Sequence, residues 1–357
     1  MSRVNDVRLR MKNAGIDAIF VTNEINQHYL SGFEFQDGML LVTHASAYLI
    51  TDFRYYEMAL NEADKAFQVV TPKGKRIEFL RECLEKESVK TIGFEGNTLS
   101  FKEYLNYKES FSDCQLVDVG NMLDDARQIK DADEILLMQR AQDIADEAYK
   151  YVLNMLTPNM TEIEVAAEIE YAIRRGGADG VSFGTIAVSG DASALPHGTP
   201  RNVKLKRGFL TMDFGAKYKG YCSDMTRTVS IGAADDEMKK LYNTVLSAQL
   251  AAIDYLREGV DAGEADKVAR DIIDANDEYR GAFGHSLGHS VGLLVHESPM
   301  LSPKAFGRKL RVGEILTVEP GIYLFGRYGC RIEDMVKIEK DGVYNFTHSA
   351  KELIEIC

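Results

Sequence analysis

The spacing of apolar residues changes character part-way along the chain. Residues 4–14 place Val4, Val7 and Met11 at helical spacing, and Gly15 is set to end that helix. DAIFVT (17–22) reads as a buried strand, and MLLVTHASAYLIT (39–51) as two short strands hinged at His44–Ser46. FQVV (67–70), RIEFLRECLEKE (76–87) and VKTIGFE (89–95) alternate strand, helix and strand. SFKEYLNYKES (100–110) reads as helix and CQLVDV (114–119) as strand. Such alternation predicts a small α/β domain over residues 1–125. It carries no GxxxxGK[ST], and no GxGxxG after a strand, so nothing in it points to nucleotide binding.

Gly120–Lys130 is the expected connection to a second domain, 126–357. From Asp131 a long run has apolar residues on one face, predicting a long helix. Thr161 with Glu164 forms a capping box that opens a second helix running to Gly176. Strand-like TIAVSG, the LPHGTP loop and a hairpin pattern follow, then amphipathic helices over 235–259 and 264–276, a glycine- and histidine-rich run, and another hairpin pattern. Strands at both ends with helices between them predict an α+β domain, with the two hairpins meeting at its centre.

Those hairpins carry the candidate chemistry. TMDFGAKYKGYCSDMTRT contains Asp213 and Asp224, symmetric about Tyr218-Lys219; TVEPGIYLFGRYGCRIEDMV contains Glu319 and Glu333, symmetric about Gly326. Closed at those centres, each hairpin opposes two carboxylates, roughly 5 Å apart at Cβ. A lone strand acid is ordinarily solvated, but Asp213 and Glu319 end the apolar runs Leu210-Thr211-Met212 and Ile315-Leu316-Thr317-Val318. Acids placed so are buried, and buried acids need a cation, a hydrogen bond or a raised pKa. FGHSLGHSVGLLVHESP lies between the hairpins and places His285, His289 and His296 among Gly284, Gly288 and Gly292. These glycines rule out an HExxH-type helix in spite of the i, i+4 pair His285/His289, and instead let backbone pass close to a metal or substrate. Carboxylates with imidazole suit Mn, Co, Fe or Zn better than Ca or Mg. His197 sits in a Pro/Gly-fixed loop. Arg331, two positions before Glu333 and so on the same strand face, is placed to balance charge behind the acids, its alternative being an ordinary surface arginine. His28, His44 and His348 occupy ordinary settings, and His296-Glu297 has a surface polar pair as its less favoured alternative.

With 357 residues, 45% of them hydrophobic, two domains with sizeable cores are expected. A formal charge of −13 argues against nucleic acid or an anionic membrane surface as partner. Five scattered cysteines without a CxxC pair fit a reducing compartment, with packing roles for Cys222 and Cys330. The N-terminus lacks the apolar core of a secretory signal, and no apolar run reaches the ~18 residues that span a bilayer, so a cytoplasmic protein is expected.

In order and spacing, DFGAKYKGYCSDMTRT, GHSLGHSVGLLVHESP, TVEPGIY and RIED resemble the signature blocks of the creatinase/aminopeptidase P/prolidase/methionine aminopeptidase superfamily. The resemblance implies a pita-bread catalytic domain and, supported by TDFRYYEMA (51–59), a smaller creatinase-type α/β N-terminal domain. It implies two divalent metal ions per subunit, Mn or Co foremost with Zn or Fe possible, held by Asp213, Asp224, His289, Glu319 and Glu333. It further implies His197, Glu319 and His296 as catalytic residues, and His285, His296 and Arg331 around the substrate. The implied activity is hydrolysis of the bond between an N-terminal residue and proline, by a hydroxide shared between the metals, in a dimeric Xaa-Pro dipeptidase or aminopeptidase P. The extra N-terminal domain disfavours a methionine aminopeptidase and the intact ligand set disfavours creatinase. Another hydrolase of this fold, or an inactive binding homologue, is the alternative.

Overall fold

The structure is a computed structural model and describes residues 2–357. The chain forms two compact units that divide between Arg127 and Gln128. The first contains α1 (Arg3–Ala14), β1 (Ala18–Val21), α2 (Glu24–Ser31), β2 (Met39–Thr43), β3 (Ala47–Ile50), α3 (Phe53–Glu62), β4 (Gln68–Val70), α4 (Arg76–Lys86), β5 (Thr91–Phe94), α5 (Phe101–Ser110), β6 (Gln115–Asp118) and α6 (Met122–Arg127). Its six strands form one mixed sheet in the order β4-β3-β2-β1-β5-β6. Gly15 adopts φ 67° and caps α1 as its position predicts. The pattern did not disclose α2 and α3, and α6 occupies part of the stretch read as a connection.

The second unit opens with the antiparallel pair α7 (Ala132–Met155) and α8 (Glu162–Arg175), both started by capping boxes. Then come β7 (Gly180–Val181), β8 (Ile186–Ser189), β9 (Gly208–Phe214), β10 (Ala216–Tyr218), β11 (Tyr221–Cys222) and β12 (Met225–Ile231). A second helix pair, α9 (Asp236–Tyr255) and α10 (Ala262–Asp274), precedes β13 (Gly288–Ser290), β14 (Glu297–Leu301), β15 (Ile315–Val318), β16 (Gly321–Leu324), β17 (Tyr328–Arg331), β18 (Asp334–Ile338), β19 (Val343–Asn345) and β20 (Glu355–Ile356). Two main sheets result, β20-β12-β9-β8 and β14-β13-β15-β18-β19.

Period-2 alternation decides which side chains reach the space between these sheets. Leu210, Met212 and Phe214 of β9, with Met225, Val229 and Ile231 of β12, pack on α7 and α8. The opposite faces of those strands carry Thr211, Asp213, Thr226 and Thr228. Leu316, Val318 and Val336 of the second sheet, with Cys330 of β17 and Ile332 beyond it, pack on α9 and α10. That turns Thr317, Glu319, Arg331 and Glu333 the other way. The helices thus claim the apolar face of each sheet and leave two polar faces to meet. They meet directly: the Glu333 N–H donates to Thr226 O at 3.1 Å, and the Thr228 hydroxyl to Arg331 O at 2.9 Å.

The second hairpin is centred as predicted, with Gly321 opposite Arg331 and Val318 opposite Asp334 in ladders that share Gly326 as centre. The first closes one residue later than its symmetry suggested. Tyr218 pairs with Tyr221, and Asp213 faces Thr226 instead of Asp224. The turn residues are Lys219 and Gly220, with φ 47° and 83°. A two-residue hairpin of this hand needs positive φ at both positions, and glycine fits the second without strain. Asp224 therefore approaches Asp213 as a diagonal neighbour, two residues before its cross-strand partner.

Candidate metal centre and active site

A cavity of about 520 Å³ in the second unit is lined by all nine residues singled out above: Asp213, Asp224, His289, Glu319, Glu333, His197, His285, His296 and Arg331. Asp224, His289 and Glu333 each present a ligand atom, and these atoms lie within 4.8 Å of one another. Nε2 of His289 lies 3.3 Å from Glu319 Oε1 and 3.6 Å from Asp224 Oδ2. The other ring nitrogen, Nδ1, faces the Ser290 carbonyl at 3.2 Å, so it carries the proton and Nε2 presents its lone pair to the carboxylates. Two lone-pair acceptors do not approach this closely without a cation or proton between them.

Electrostatics point the same way. Burial pushes Asp224 well above the usual carboxylate range, and the charges of Asp213 and Glu319 push it further. Glu333 is raised well above its ordinary value by burial and then by Asp224 and Glu319. Burial lifts Glu319 to about 8 against the opposing pull of Arg331. Burial, with His296 adding to it, lowers His289 to about 4, so it is a neutral ligand at pH 7. Asp213 Oδ2 accepts from Arg331 Nη2 at 2.6 Å, whereas its Oδ1 is buried with no hydrogen-bond partner. Three buried carboxylates, the partly exposed carboxylate of Glu319, one neutral imidazole and an orphaned carboxylate oxygen make a donor set that fits divalent transition metals.

Around this set lie residues that the sequence reading missed. The Thr226 hydroxyl donates to Glu333 Oε2 at 2.7 Å, and the Thr317 hydroxyl to Glu319 Oε1 at 3.2 Å. Arg331 Nε donates to Thr226 Oγ1 at 2.9 Å and Nη1 to the Tyr323 hydroxyl at 2.6 Å. That hydroxyl lies 2.9 Å from His285 Nε2 and, since it accepts from Arg331, gives its own proton to the imidazole. Burial, with Arg331 adding to it, holds His285 near 4, which keeps Nε2 an acceptor. Tyr323 stands four residues after Glu319, on the face of β16 turned to Arg331; only the fold reveals that link. Gly288 passes so close to β15 that a Cβ there would fall on the Thr317 carbonyl.

Glu297 is not a surface acid: its side chain is 3% exposed and is paired with Lys130 Nζ at 3.2 Å. Cys222 and Cys330 are buried thiols, pushed up to about 12 by burial, in keeping with packing roles.

The loop that bears His197 is closed on one buried acid. Glu162 accepts from the Ser189 N–H and hydroxyl, each at 2.8 Å, and from the Arg201 N–H, Nε and Nη2 at 3.0, 2.8 and 2.6 Å. Burial raises its pKa, but the Arg201 and Ser189 bonds outweigh burial and the net shift is downward. A lowered folded pKa gives stability that is present above the unfolded value and lost as pH falls through the folded one. Glu162→Gln should therefore lower the melting temperature at pH 7, with the gap from wild type narrowing at acid pH, roughly between pH 5 and 3. Thermal melts across that range check this; a gap constant with pH would contradict it.

Residues 136–340 match the model of metallopeptidase family M24, and residues 3–129 that of the creatinase/prolidase N-terminal domain. The chain belongs to metallopeptidase family M24. It is 38% identical over 347 residues to a Xaa-Pro dipeptidase of Pyrococcus horikoshii, covering 96% of each chain. Among solved structures, a Xaa-Pro dipeptidase from Bacillus anthracis is 38% identical and superposes with TM-score 0.94 over 99% of each chain. An X-Pro aminopeptidase from Thermotoga maritima is 36% identical with TM-score 0.92, over 97% of this chain and 100% of that one. The fold is accordingly the M24 pita-bread catalytic domain with a creatinase-type N-terminal domain, and the protein is a metal-dependent peptidase. Among the described residues no helix is long and apolar enough to cross a membrane.

Proposed function

We propose that this M24 peptidase hydrolyses the bond between an N-terminal residue and a following proline. It would use two divalent ions, Mn or Co foremost, held by Asp213, Asp224, His289, Glu319 and Glu333. The observation that carries the reading is the lone pair of His289 Nε2 facing the carboxylates of Glu319 and Asp224 at the floor of the cavity. Ions bound there would polarise the scissile carbonyl and make water available as hydroxide near neutral pH. Glu319, whose Oε1 accepts from Thr317, lines the cavity beside His289 and would take a proton and return it to the leaving nitrogen. His197 and His296 flank the same space and are positioned to donate to a developing oxyanion. His285, kept neutral and held by Tyr323, offers an apolar ring face that suits a proline ring, beside Phe183, Ile186 and Val295 of the cavity wall.

Metal-stripped protein should cleave neither a Xaa-Pro dipeptide nor a Xaa-Pro-Yaa tripeptide, and added Mn or Co should restore cleavage. Glu319→Ala should lose at least about 10³-fold in kcat/KM under the same conditions. The dipeptide-to-tripeptide ratio then assigns the enzyme to the dipeptidase or the aminopeptidase P type. Failure to cleave either peptide with metal fully bound would remove the Xaa-Pro assignment.

A further inference from the structure

The run from Phe283 to Leu287, which brings His285 to the cavity, belongs to no helix or strand; β13 starts only at Gly288. Its backbone is held by two side chains of α10. Asp266 and Arg270 lie one turn apart on that helix and pair at 2.8 Å. Arg270 Nη1 donates to Phe283 O at 2.6 Å and Nη2 to His285 O at 2.8 Å. Asp266 Oδ1 accepts the Leu287 N–H at 2.9 Å. Three alternate residues of a segment outside any helix or strand are thus held by one ion pair, much as a neighbouring strand would hold them.

The hold extends to the imidazole. The Arg270 guanidinium lies 4.3 Å over the Phe283 ring, which in turn meets His285 edge-on with centroids 5.0 Å apart. Leu287, whose N–H is bound by Asp266, accepts from the Glu319 N–H through its own carbonyl at 2.8 Å. Asp266 is 1% exposed, so its charge is committed to these partners. Neither it nor Arg270 belongs to the cavity lining.

We infer that Asp266 and Arg270 are positioning residues that fix His285 in the cavity and so set the affinity for the residue after the scissile bond. The choice of substrate rests on the Xaa-Pro reading; the positioning itself does not. On that reading the His285 ring packs on the residue after the scissile bond and not on the reacting carbonyl, so its displacement weakens substrate and transition state alike, which raises KM and leaves kcat in place.

The test uses the full metal-loaded chain. Arg270→Ala should raise KM for a Xaa-Pro peptide roughly 10-fold or more, with kcat within about three-fold of wild type and metal content unchanged. Arg270→Lys, which can still reach one of the two carbonyls, should recover part of the loss. In zinc-loaded, substrate-free protein carrying 15N-labelled histidine, the His285 ring resonances, assigned with His285→Gln, should move in Arg270→Ala and in Asp266→Asn. Unchanged KM and unmoved His285 resonances in folded Arg270→Ala would overturn the inference, as would a fall in kcat that tracks lost metal. Should Arg270→Ala not fold, Arg270→Lys and Asp266→Asn carry the same readouts. If wild-type protein cleaves no Xaa-Pro peptide, that reading fails, and the His285 resonances alone decide the positioning.

Discussion

Glu333→Gln is expected to abolish metal-restored hydrolysis while raising the melting temperature of the metal-free protein. The two effects share one cause. Glu333 is buried among Asp224, Glu319 and Asp213, which push its pKa up after burial itself does, and Arg331 is the cation that opposes them. Without metal its charge is a liability, and removing one member of a buried like-charge group relieves both desolvation and repulsion. Glutamine keeps the shape, and its amide oxygen can still accept from the Thr226 hydroxyl, 2.7 Å from Oε2 in the native chain. It is, however, a poor ligand for a hard divalent ion. Hydrolysis should fall by at least about 10³-fold, because no other group in the cavity supplies the metal's chemistry. Metal analysis, melting curves with and without chelator, and peptide hydrolysis read the three parts. A lower melting temperature in chelator would mean that Glu333 stabilises the empty site, and the electrostatic account of the acid cluster would fail.

The second large effect is the pH dependence of stability in the metal-free protein. Asp224 and Glu333 stand well above their ordinary values and Glu319 near 8, all chiefly through burial. An acid whose folded pKa is raised binds more protons in the folded state than in the unfolded one over the interval between the two values. Stability therefore falls as pH rises from the ordinary carboxylate range, about 4, up to about 8. Bound metal reverses the balance, since it favours the deprotonated ligands, and adds about 4 kcal/mol at a concentration of 1,000 Kd. The rise in melting temperature on adding Mn should thus grow between pH 5 and about 8. Parallel melts with chelator and with Mn across that range check it; a metal-induced shift that shrinks with rising pH would contradict the ligand assignment.

Much of this protein was legible in one dimension. Helices with a capping signal and one apolar face, such as α7 and α8, follow from local chemistry: Asp131 and Thr161 satisfy the first free N–H groups, and the turns that follow bury one side. Asp213, Asp224, Glu319 and Glu333 stood out from the hairpin patterns and the apolar runs before Asp213 and Glu319, and the histidines from their glycine-rich run, while their roles came from the resemblance to a known family. The short helices α2 and α3 escaped, since α2 carries the polar residues Asn26 and Gln27 into the interior and α3 buries only Ala59. Neither shows the apolar stripe on which a periodicity argument depends.

What the tertiary structure alone decided is pairing. The sequence places Asp213 and Asp224 near a turn, but the positive φ required at Lys219 and Gly220 shifts the register and makes them diagonal neighbours. Nothing local tells Tyr323 that its hydroxyl will join Arg331 to His285, or Glu297 that Lys130 will meet it, 167 residues away along the chain. Such contacts depend on how two sheets face one another and on which side chain fills the remaining space. Burial gives them their strength, because a hydrogen bond or charge pair withdrawn from water has no substitute partner. The sequence determined which residues are turned away from the helices; the packing of the two polar faces determined what each of them touches.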